Sequence, residues 1–130
     1  MANEPVTHSD IVEAMKTPDF YDHPVDAIEY LQTHISSVLL TGEKAYKLKK
    51  PVDFGFLDFS TVDRRKHFCE EEVRLNRRLA PRVYLGVRPV TLDGARPVLD
   101  GSGPVTDWLV EMRQLDRDRK STRLNSSHYS

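Results

Sequence analysis

The sequence is poor in cysteine, since Cys69 is the only one among 130 residues. A single cysteine cannot form an internal disulfide, which excludes the disulfide-stabilised class of small secreted domains and indicates a reducing compartment. No apolar run approaches the roughly 20 residues that cross a bilayer, and the N-terminus has no basic stretch followed by an apolar one. We therefore expect a cytoplasmic protein without a membrane partner.

An excess of charge of one sign is also lacking, because 19 Lys and Arg stand against 20 Asp and Glu. This balance argues against nucleic acid as a partner. Basic residues cluster at 64–66 and 77–78, but the acidic run 70–72 between them favours a solvated face of mixed charge. A nucleic-acid-binding domain, the open alternative, predicts steeply salt-dependent binding. The histidines and Cys69 match no metal-ligand spacing, so no metal site is predicted.

Two short helices are predicted in the N-terminal part. Ser9 is a plausible N-cap for a helix over residues 9–15. A second helix is predicted over residues 23–32, with Pro24 in its first turn. Residues 1–34 are therefore interpreted as a helical N-terminal extension.

A β-hairpin is predicted to follow this extension. Residues 35–41 are rich in strand formers, residues 42–43 favour a turn, and residues 44–50 alternate in polarity. The loop over residues 51–60 is rich in phenylalanine and is expected to fold back onto the sheet.

One long helix and further strands complete the predicted architecture. Ser60 and Asp63 fit a helix start, and the helix is expected to run to about Ala80. Strands are predicted over residues 83–91 and 106–115, with turns at residues 93–94 and 100–101 around one short extra strand. An antiparallel sheet with one long packed helix is an α+β fold.

Residues 118–130 differ abruptly from the rest, being polar and without apolar periodicity. A disordered tail is one interpretation. Residues 118–121, however, read Asp-Arg-Lys-Ser, which the common sequencing-adapter sequence GATCGGAAGAGC encodes. We therefore interpret residues 118–130 as a non-native, adapter-derived tail and expect the natural sequence to stop near Arg117, within a truncated gene.

Four lysines stand close together in the predicted hairpin. Ala45, Lys47 and Lys49 share one face of the strand, because alternate side chains lie on the same side. A small residue two places before a lysine leaves room for a flat ligand, with the ammonium group reaching past it. We therefore expect Lys47 to be aimed at a ligand, and Lys44, Lys49 and Lys50 to lie largely in solvent.

The long helix supplies a candidate partner for this lysine. Phe68, Leu75 and Leu79 are spaced by seven and four residues, which predicts an apolar stripe. Glu72 lies about 40° from Phe68 around the helix, inside the face expected to be buried. A buried carboxylate is costly unless it is paired, so Glu72 is expected to have a cationic partner, with Glu71 as the runner-up.

A strand carrying Ala-x-Lys, followed by a helix with an acid on its buried face, is the arrangement with which protein-kinase-like enzymes hold ATP. The lysine binds the α- and β-phosphates, and the helix glutamate keeps the lysine oriented. An ordinary ion pair without a ligand is the alternative interpretation of the same pattern.

Three longer strings carry a resemblance to a family: THISSVLLTGEKAYKLKKPVDFGFLDFST, RRKHFCEEEVRLNRRLAP and YLGVRP. They resemble the N-terminal part of bacterial aminoglycoside phosphotransferase-family proteins, in particular the group in which this region precedes a P-loop ATPase or kinase domain. The resemblance covers roughly residues 11–115. It implies that residues 35–117 form the small, ATP-covering lobe of a protein-kinase-like fold, with the larger lobe missing.

The resemblance also implies roles for particular residues. Lys47 would bind the phosphates of ATP next to Ala45, and Glu72 would orient Lys47. The last predicted strand would lead into the hinge, where backbone groups of Met112, Arg113 and Leu115 meet adenine.

The sequence departs from the family pattern in its glycines and in its catalytic segments. Only Gly42 occupies the hairpin turn, and no Gly-x-Gly-x-x-Gly precedes Lys47. The His-x-Asp-x-x-x-x-Asn segment and the Gly-x-x-x-x-Gly-Lys-Ser/Thr string are also absent. We therefore expect this fragment not to catalyse phosphoryl transfer, Mg²⁺ to bind only in the complete protein, and the unknown acceptor substrate to bind in the missing larger lobe. A noncatalytic nucleotide-sensing or partner-docking module is the alternative.

Overall fold

The computed structural model describes residues 6–114. The helices are α1 (His8–Met15) and α2 (Val62–Asn76), with a short 3-10 helix over Pro18–Phe20. The strands are β1 (Glu29–Gln32), β2 (Ser36–Leu40), β3 (Lys44–Lys49), β4 (Tyr84–Asp93), β5 (Arg96–Leu99) and β6 (Val105–Arg113). They form one antiparallel sheet in the order β1-β2-β3-β6-β4-β5. The predicted α+β class is confirmed, while the predictions for Leu115 and for residues 118–130 lie outside the described residues.

The sheet has an apolar core on each face. On one face, α1 and the 3-10 helix pack against Tyr46 and Leu48 of β3. On the other face, Cys69 and Val73 of α2 pack in a cluster with Ala45. The alternation of β3 therefore directs its even-numbered residues towards α1 and its odd-numbered residues towards α2.

The first predicted helix is confirmed, with its start at His8 rather than Ser9. Thr7 is the N-cap: its side chain accepts a hydrogen bond from the backbone N–H of Asp10 at 3.1 Å, and the Asp10 carboxylate accepts one from the backbone N–H of Thr7 at 3.0 Å. This reciprocal capping box satisfies two of the amides that a helix start leaves unpaired.

The second predicted helix is wrong. Residues 23–28 form no helix, and the strand β1 occupies Glu29–Gln32. β1 pairs with β2 along its whole length, with Leu31 opposite Val38. Pairing with a neighbouring strand overrides the weak local preference for a helix. The predicted boundary between residues 34 and 35 consequently falls in the turn of the β1–β2 hairpin.

The predicted hairpin is confirmed as β2 and β3. Gly42 adopts a φ of 107° in its turn, a left-handed conformation that favours glycine. In the following loop, Phe59 is buried against the sheet, whereas Phe54 and Phe56 are exposed. The loop therefore packs onto the sheet through Phe59, and not through Phe54 or Phe56.

The long helix is confirmed, but its predicted limits and buried face are wrong. Thr61, not Ser60, caps α2, and the helix ends at Asn76 rather than near Ala80. Leu75 and Leu79 are 50% and 85% exposed. The face of α2 that meets the sheet is instead built from the following buried residues: Arg65, Cys69 and Val73.

The remaining strands follow the predicted pattern. β4 and β6 overlap the two predicted strands, and β5 is the short extra strand between the two predicted turns. β6 lies between β3 and β4, so the last strand of the described chain completes the centre of the sheet.

Candidate functional site

A buried cluster of three charged side chains joins β3 to α2. Lys47 Nζ lies 2.6 Å from Glu72 Oε2, and Lys49 Nζ lies 2.7 Å from Glu72 Oε1. The side chains of Lys47 and Lys49 are 2% and 5% exposed, and that of Glu72 is 14% exposed. One carboxylate thus binds two ammonium groups, one on each oxygen.

The fold produces this cluster from two simple periodicities. Lys47 and Lys49 share the α2 face of β3 because alternate residues of a strand lie on one side. On α2, Glu72 follows Cys69 by three residues and precedes Val73 by one, so it lies at the edge of the buried face. The carboxylate therefore reaches the two lysines from the border of the apolar core.

Ala45 lies on the same face of β3 as the two lysines. It is fully buried in the cluster that contains Cys69 and Val73. Across the sheet it is opposite Met112 of β6. Ala45 is thus part of the apolar core between the sheet and α2.

The charges of the cluster shift the protonation equilibria of its members. Burial by itself raises the pKa of Glu72, but the ammonium groups of Lys49 and Lys47 outweigh burial and hold the pKa below its ordinary value. Burial lowers the pKa of Lys47, Glu72 opposes that shift, and the neighbouring charge of Lys49 adds to it. The two lysines therefore repel each other while sharing one carboxylate.

The expectation that Lys49 lies in solvent is wrong. In addition to its ion pair, Lys49 Nζ lies 5.2 Å from the centre of the Phe59 ring, within the range of a cation–π contact. Ser36 is directly opposite Lys49 on β2, and its buried Oγ has no hydrogen-bond partner among residues 6–114. Lys44 and Lys50 are partly exposed, as expected for side chains at the ends of a strand.

A second buried ion pair fixes α2 over the sheet. Arg65 Nε donates to Asp107 Oδ1 at 3.0 Å, and Arg65 Nη1 donates to the backbone oxygen of Phe59 at 2.7 Å. Both charged side chains are buried. Sequence reasoning assigned Arg65 to a solvated basic cluster; the signal that identifies it is its spacing, since it precedes the buried Cys69 by four residues.

Glu71, the runner-up for the lysine partner, lies elsewhere. Its carboxylate accepts a hydrogen bond from Arg74 Nη2 at 2.5 Å, one turn along the exposed side of α2. Among residues 6–114, the helix acid that contacts Lys47 is therefore Glu72.

Cys69 is a buried core residue, as predicted. Burial raises the pKa of its thiol to about 12. A thiol with such a pKa is protonated at neutral pH and is a poor nucleophile.

The residues predicted to form the hinge lie in β6. Met112 is fully buried between β3 and β4, opposite Ala45 and Tyr84. The backbone N–H of Arg113 donates to Val83 O at 2.7 Å, so this amide is already used within the sheet. An adenine-binding role for these two residues stays a prediction, and Leu115 is outside the described residues.

The opposite face of the sheet carries a polar network that sequence reasoning missed. Glu111 Oε2 accepts hydrogen bonds from Tyr46 Oη and from Arg88 Nη1, both at 2.9 Å. Arg88 Nη2 also donates to Asp22 at 2.5 Å and to Asp100 at 3.0 Å. These partners are far apart in sequence, so no local pattern identifies them. The network attaches the N-terminal segment to β4 and β6.

Residues 6–114 contain neither a metal-binding cluster nor a membrane-spanning helix. No group of three or more His, Cys, Asp or Glu side chains in this range is placed to hold a metal ion. No helix in the same range is long and apolar enough to cross a membrane.

The chain is similar to proteins of Mycobacterium tuberculosis and Mycobacterium bovis that are named only as uncharacterized proteins. The identity is 38% over 101 residues, which cover 75% of this chain and 18% of each relative. The chain therefore spans less than a fifth of the length of the curated relatives it matches. No family model and no solved structure matches the chain.

Proposed function

We propose that the chain is the nucleotide-binding lobe of an ATP-dependent phosphotransferase with a kinase-like fold, related to the aminoglycoside phosphotransferase family. The observation that carries this proposal is the buried ion pair between Lys47 of β3 and Glu72 of α2, 2.6 Å long. In phosphotransferases of this kind, the strand lysine binds the phosphates of ATP and the helix glutamate fixes its position.

The charge of the cluster supports an anionic ligand. Lys47, Lys49 and Glu72 together carry two positive charges and one negative charge, so a phosphate group would complement them. Lysine suits phosphate because its ammonium group is a compact, mobile point charge with three donors. Since Lys47 is 2% exposed, its ammonium group has to change position when a phosphate binds.

The other parts of an ATP site would lie beyond the described residues. The backbone N–H groups of Arg113 and Gln114 already donate to Val83 O and Glu43 O, so adenine would meet other backbone groups of the predicted hinge, residues 112–115. No group of three or more His, Cys, Asp or Glu side chains in residues 6–114 is placed to hold a metal ion, and we propose that the ligands of Mg²⁺ come from the larger lobe. The relatives, of which the matched region is 18%, are long enough to include that lobe and a fused P-loop domain.

The test is a titration of the 130-residue chain with Mg·ATP, followed by NMR chemical shifts. We expect weak, millimolar binding, because the chain provides part of the pocket. Lys47→Met should lower the affinity roughly tenfold or more, the equivalent of one strong charge-assisted contact. Lys44→Met is the matched control, since Lys44 is on the same strand but pairs with Glu111 on the other face.

Two outcomes would contradict the proposal. One is the absence of shift changes at saturating Mg·ATP in the unsubstituted chain. The other is an equal loss of affinity in Lys47→Met and Lys44→Met, with both variants giving cooperative thermal unfolding curves.

A noncatalytic nucleotide-sensing or partner-docking module is a second candidate, and the hairpin turn favours it. The backbone N–H of Gly42 donates to Gln114 Oε1 at 2.8 Å, so this glycine amide already has an acceptor within the chain. The DNA sequence after the codon for Arg117 distinguishes the two candidates. A reading frame with an intact His-x-Asp-x-x-x-x-Asn segment supports the enzyme, and loss of its aspartate supports the module.

A further inference from the structure

The second lysine of the cluster is a feature that the proposed role of Lys47 leaves unexplained. An orienting glutamate needs only one lysine, yet Glu72 binds Lys47 through Oε2 and Lys49 through Oε1. The two contacts differ by 0.1 Å, so neither lysine is a peripheral neighbour of the carboxylate.

Lys49 has a second contact besides its ion pair with Glu72. Its ammonium group lies near the face of the Phe59 ring, at 5.2 Å from the ring centre. Phe59 is itself fixed, because its backbone oxygen accepts a hydrogen bond from the buried guanidinium group of Arg65 at 2.7 Å. Lys49 is therefore anchored between Glu72 and the loop that precedes α2.

A phosphate that binds Lys47 changes the balance of the cluster. Lys47 would turn at least part of its hydrogen-bonding capacity from Glu72 towards the ligand. A largely buried carboxylate left without a cation is strongly disfavoured. Lys49 prevents this, because it stays on the other oxygen of Glu72. Moving Lys47 away also relieves its repulsion by Lys49.

We infer that Lys49 is a positioning residue that keeps Glu72 paired while Lys47 moves from Glu72 to a phosphate group of the ligand. This inference rests on the proposed function. Lys49 itself does not contact the ligand. The pair of lysines thus allows one cation to be released without leaving a buried negative charge.

A double-mutant cycle of Mg·ATP affinity tests this role in the 130-residue chain. Lys49→Met should weaken binding roughly tenfold in the unsubstituted background, because Lys47 must then both neutralise Glu72 and bind phosphate. In the Glu72→Gln background the same change should have less than about a twofold effect, since no carboxylate competes for Lys47. Lys49→Arg should restore most of the affinity, because an arginine can also pair with Glu72.

Lys50→Met controls for the loss of one positive charge near the site. Lys50 follows Lys49 directly and contacts Gln32 rather than Glu72. Its substitution should change Mg·ATP affinity by less than about twofold in both backgrounds. An equal loss from Lys49→Met and Lys50→Met would overturn the inference, because long-range charge alone would then explain the effect.

Side-chain NMR of the unsubstituted chain tests the same inference without depending on the folding of Lys49→Met or Glu72→Gln. In the unsubstituted chain with ¹³C-labelled lysines, saturation with Mg·ATP should shift the Lys47 ε-carbon signal and leave that of Lys49 nearly unchanged. Conservative variants, Lys47→Arg and Lys49→Arg, assign the two signals.

The outcomes separate this inference from the proposed function. If ATP binding depends on Lys47, but the Lys49→Met loss is equally large in the Glu72→Gln background, Lys49 contacts the ligand and the inference fails alone. An ATP-induced shift of the Lys49 signal as large as that of Lys47 has the same meaning. If Mg·ATP moves neither lysine signal, the proposed function and the inference fail together.

Discussion

Glu72→Gln removes the negative charge that two buried ammonium groups share. Breaking a buried ion pair from one side costs about 3–5 kcal/mol, because the remaining charge stays buried without its partner. The two lysine contacts are not additive, since one carboxylate serves both, and the glutamine oxygen can still accept one hydrogen bond. We therefore expect a loss near the lower limit, about 3 kcal/mol in the free energy of unfolding.

Urea unfolding at neutral pH measures this loss. With a slope of about 1–3 kcal/mol per molar urea, the midpoint should fall by roughly 1–3 M, and the variant should remain folded without denaturant if the parent has a typical stability of about 5–15 kcal/mol. Glu71→Gln is the matched control, as the same change on the next residue of α2 removes only an exposed pair with Arg74. Its midpoint should stay close to that of the unsubstituted chain.

The stabilising effect of Glu72 should depend on pH. The folded-state pKa of Glu72 is below its ordinary value of 4.5, so its contribution is fully present above that value and is lost as the pH falls through the folded-state pKa. The difference in stability between the unsubstituted chain and Glu72→Gln should be constant near neutral pH and shrink in acid. Equal losses from Glu72→Gln and Glu71→Gln, or a difference that does not shrink in acid, would refute the reasoning.

Two further predictions concern the other buried polar groups of α2. Asp107→Asn leaves the buried Arg65 without its anion and should lower the free energy of unfolding in urea by about 3–5 kcal/mol. Burial raises the pKa of Asp107 although Arg65 opposes that shift, which shows that burying this carboxylate is costly. The double change Arg65→Met with Asp107→Leu should therefore be less destabilising than Asp107→Asn alone. A more damaging double change would show that the ion pair stabilises the fold by itself. Cys69 should resist thiol reagents in the native chain at pH 8, because a pKa of about 12 leaves about one thiol in 10,000 ionised. In urea, where the thiol is no longer buried, Cys69 should react fully. Rapid stoichiometric labelling without denaturant would contradict its burial.

Local signals predicted the elements that depend on local interactions. Gly42 and the alternation around it predict the β2–β3 hairpin, and capping residues predict both helices to within a few residues. The segment that forms β1 has no comparable signal. Its strand conformation depends on pairing with β2, and the local sequence of residues 29–32 does not reveal that pairing.

The buried face of α2 was misjudged for a related reason. Hydrophobic periodicity gives weight to Leu75 and Leu79, which the structure leaves exposed. The buried face includes Arg65, whose partner Asp107 is 42 residues further along the chain. Glu72 was identified by the cost of burying an unpaired acid, whereas Lys49 was assigned to solvent because a strand pattern cannot show which lysines meet a carboxylate.

The position of β3 in the sheet has a consequence for how the chain folds. One neighbour, β2, belongs to the same hairpin as β3. The other neighbour, β6, is distant in sequence, since Tyr46 of β3 and Glu111 of β6 contact each other but are 65 residues apart. Such long-range pairings form slowly, since the entropy of closing the intervening chain must be overcome first. A nascent chain that has emerged only to residue 104 already contains Lys47, Lys49 and Glu72, but it lacks the strand that completes the sheet beside them. We therefore expect both ammonium groups to remain hydrated until β6 has been synthesised and has docked beside β3.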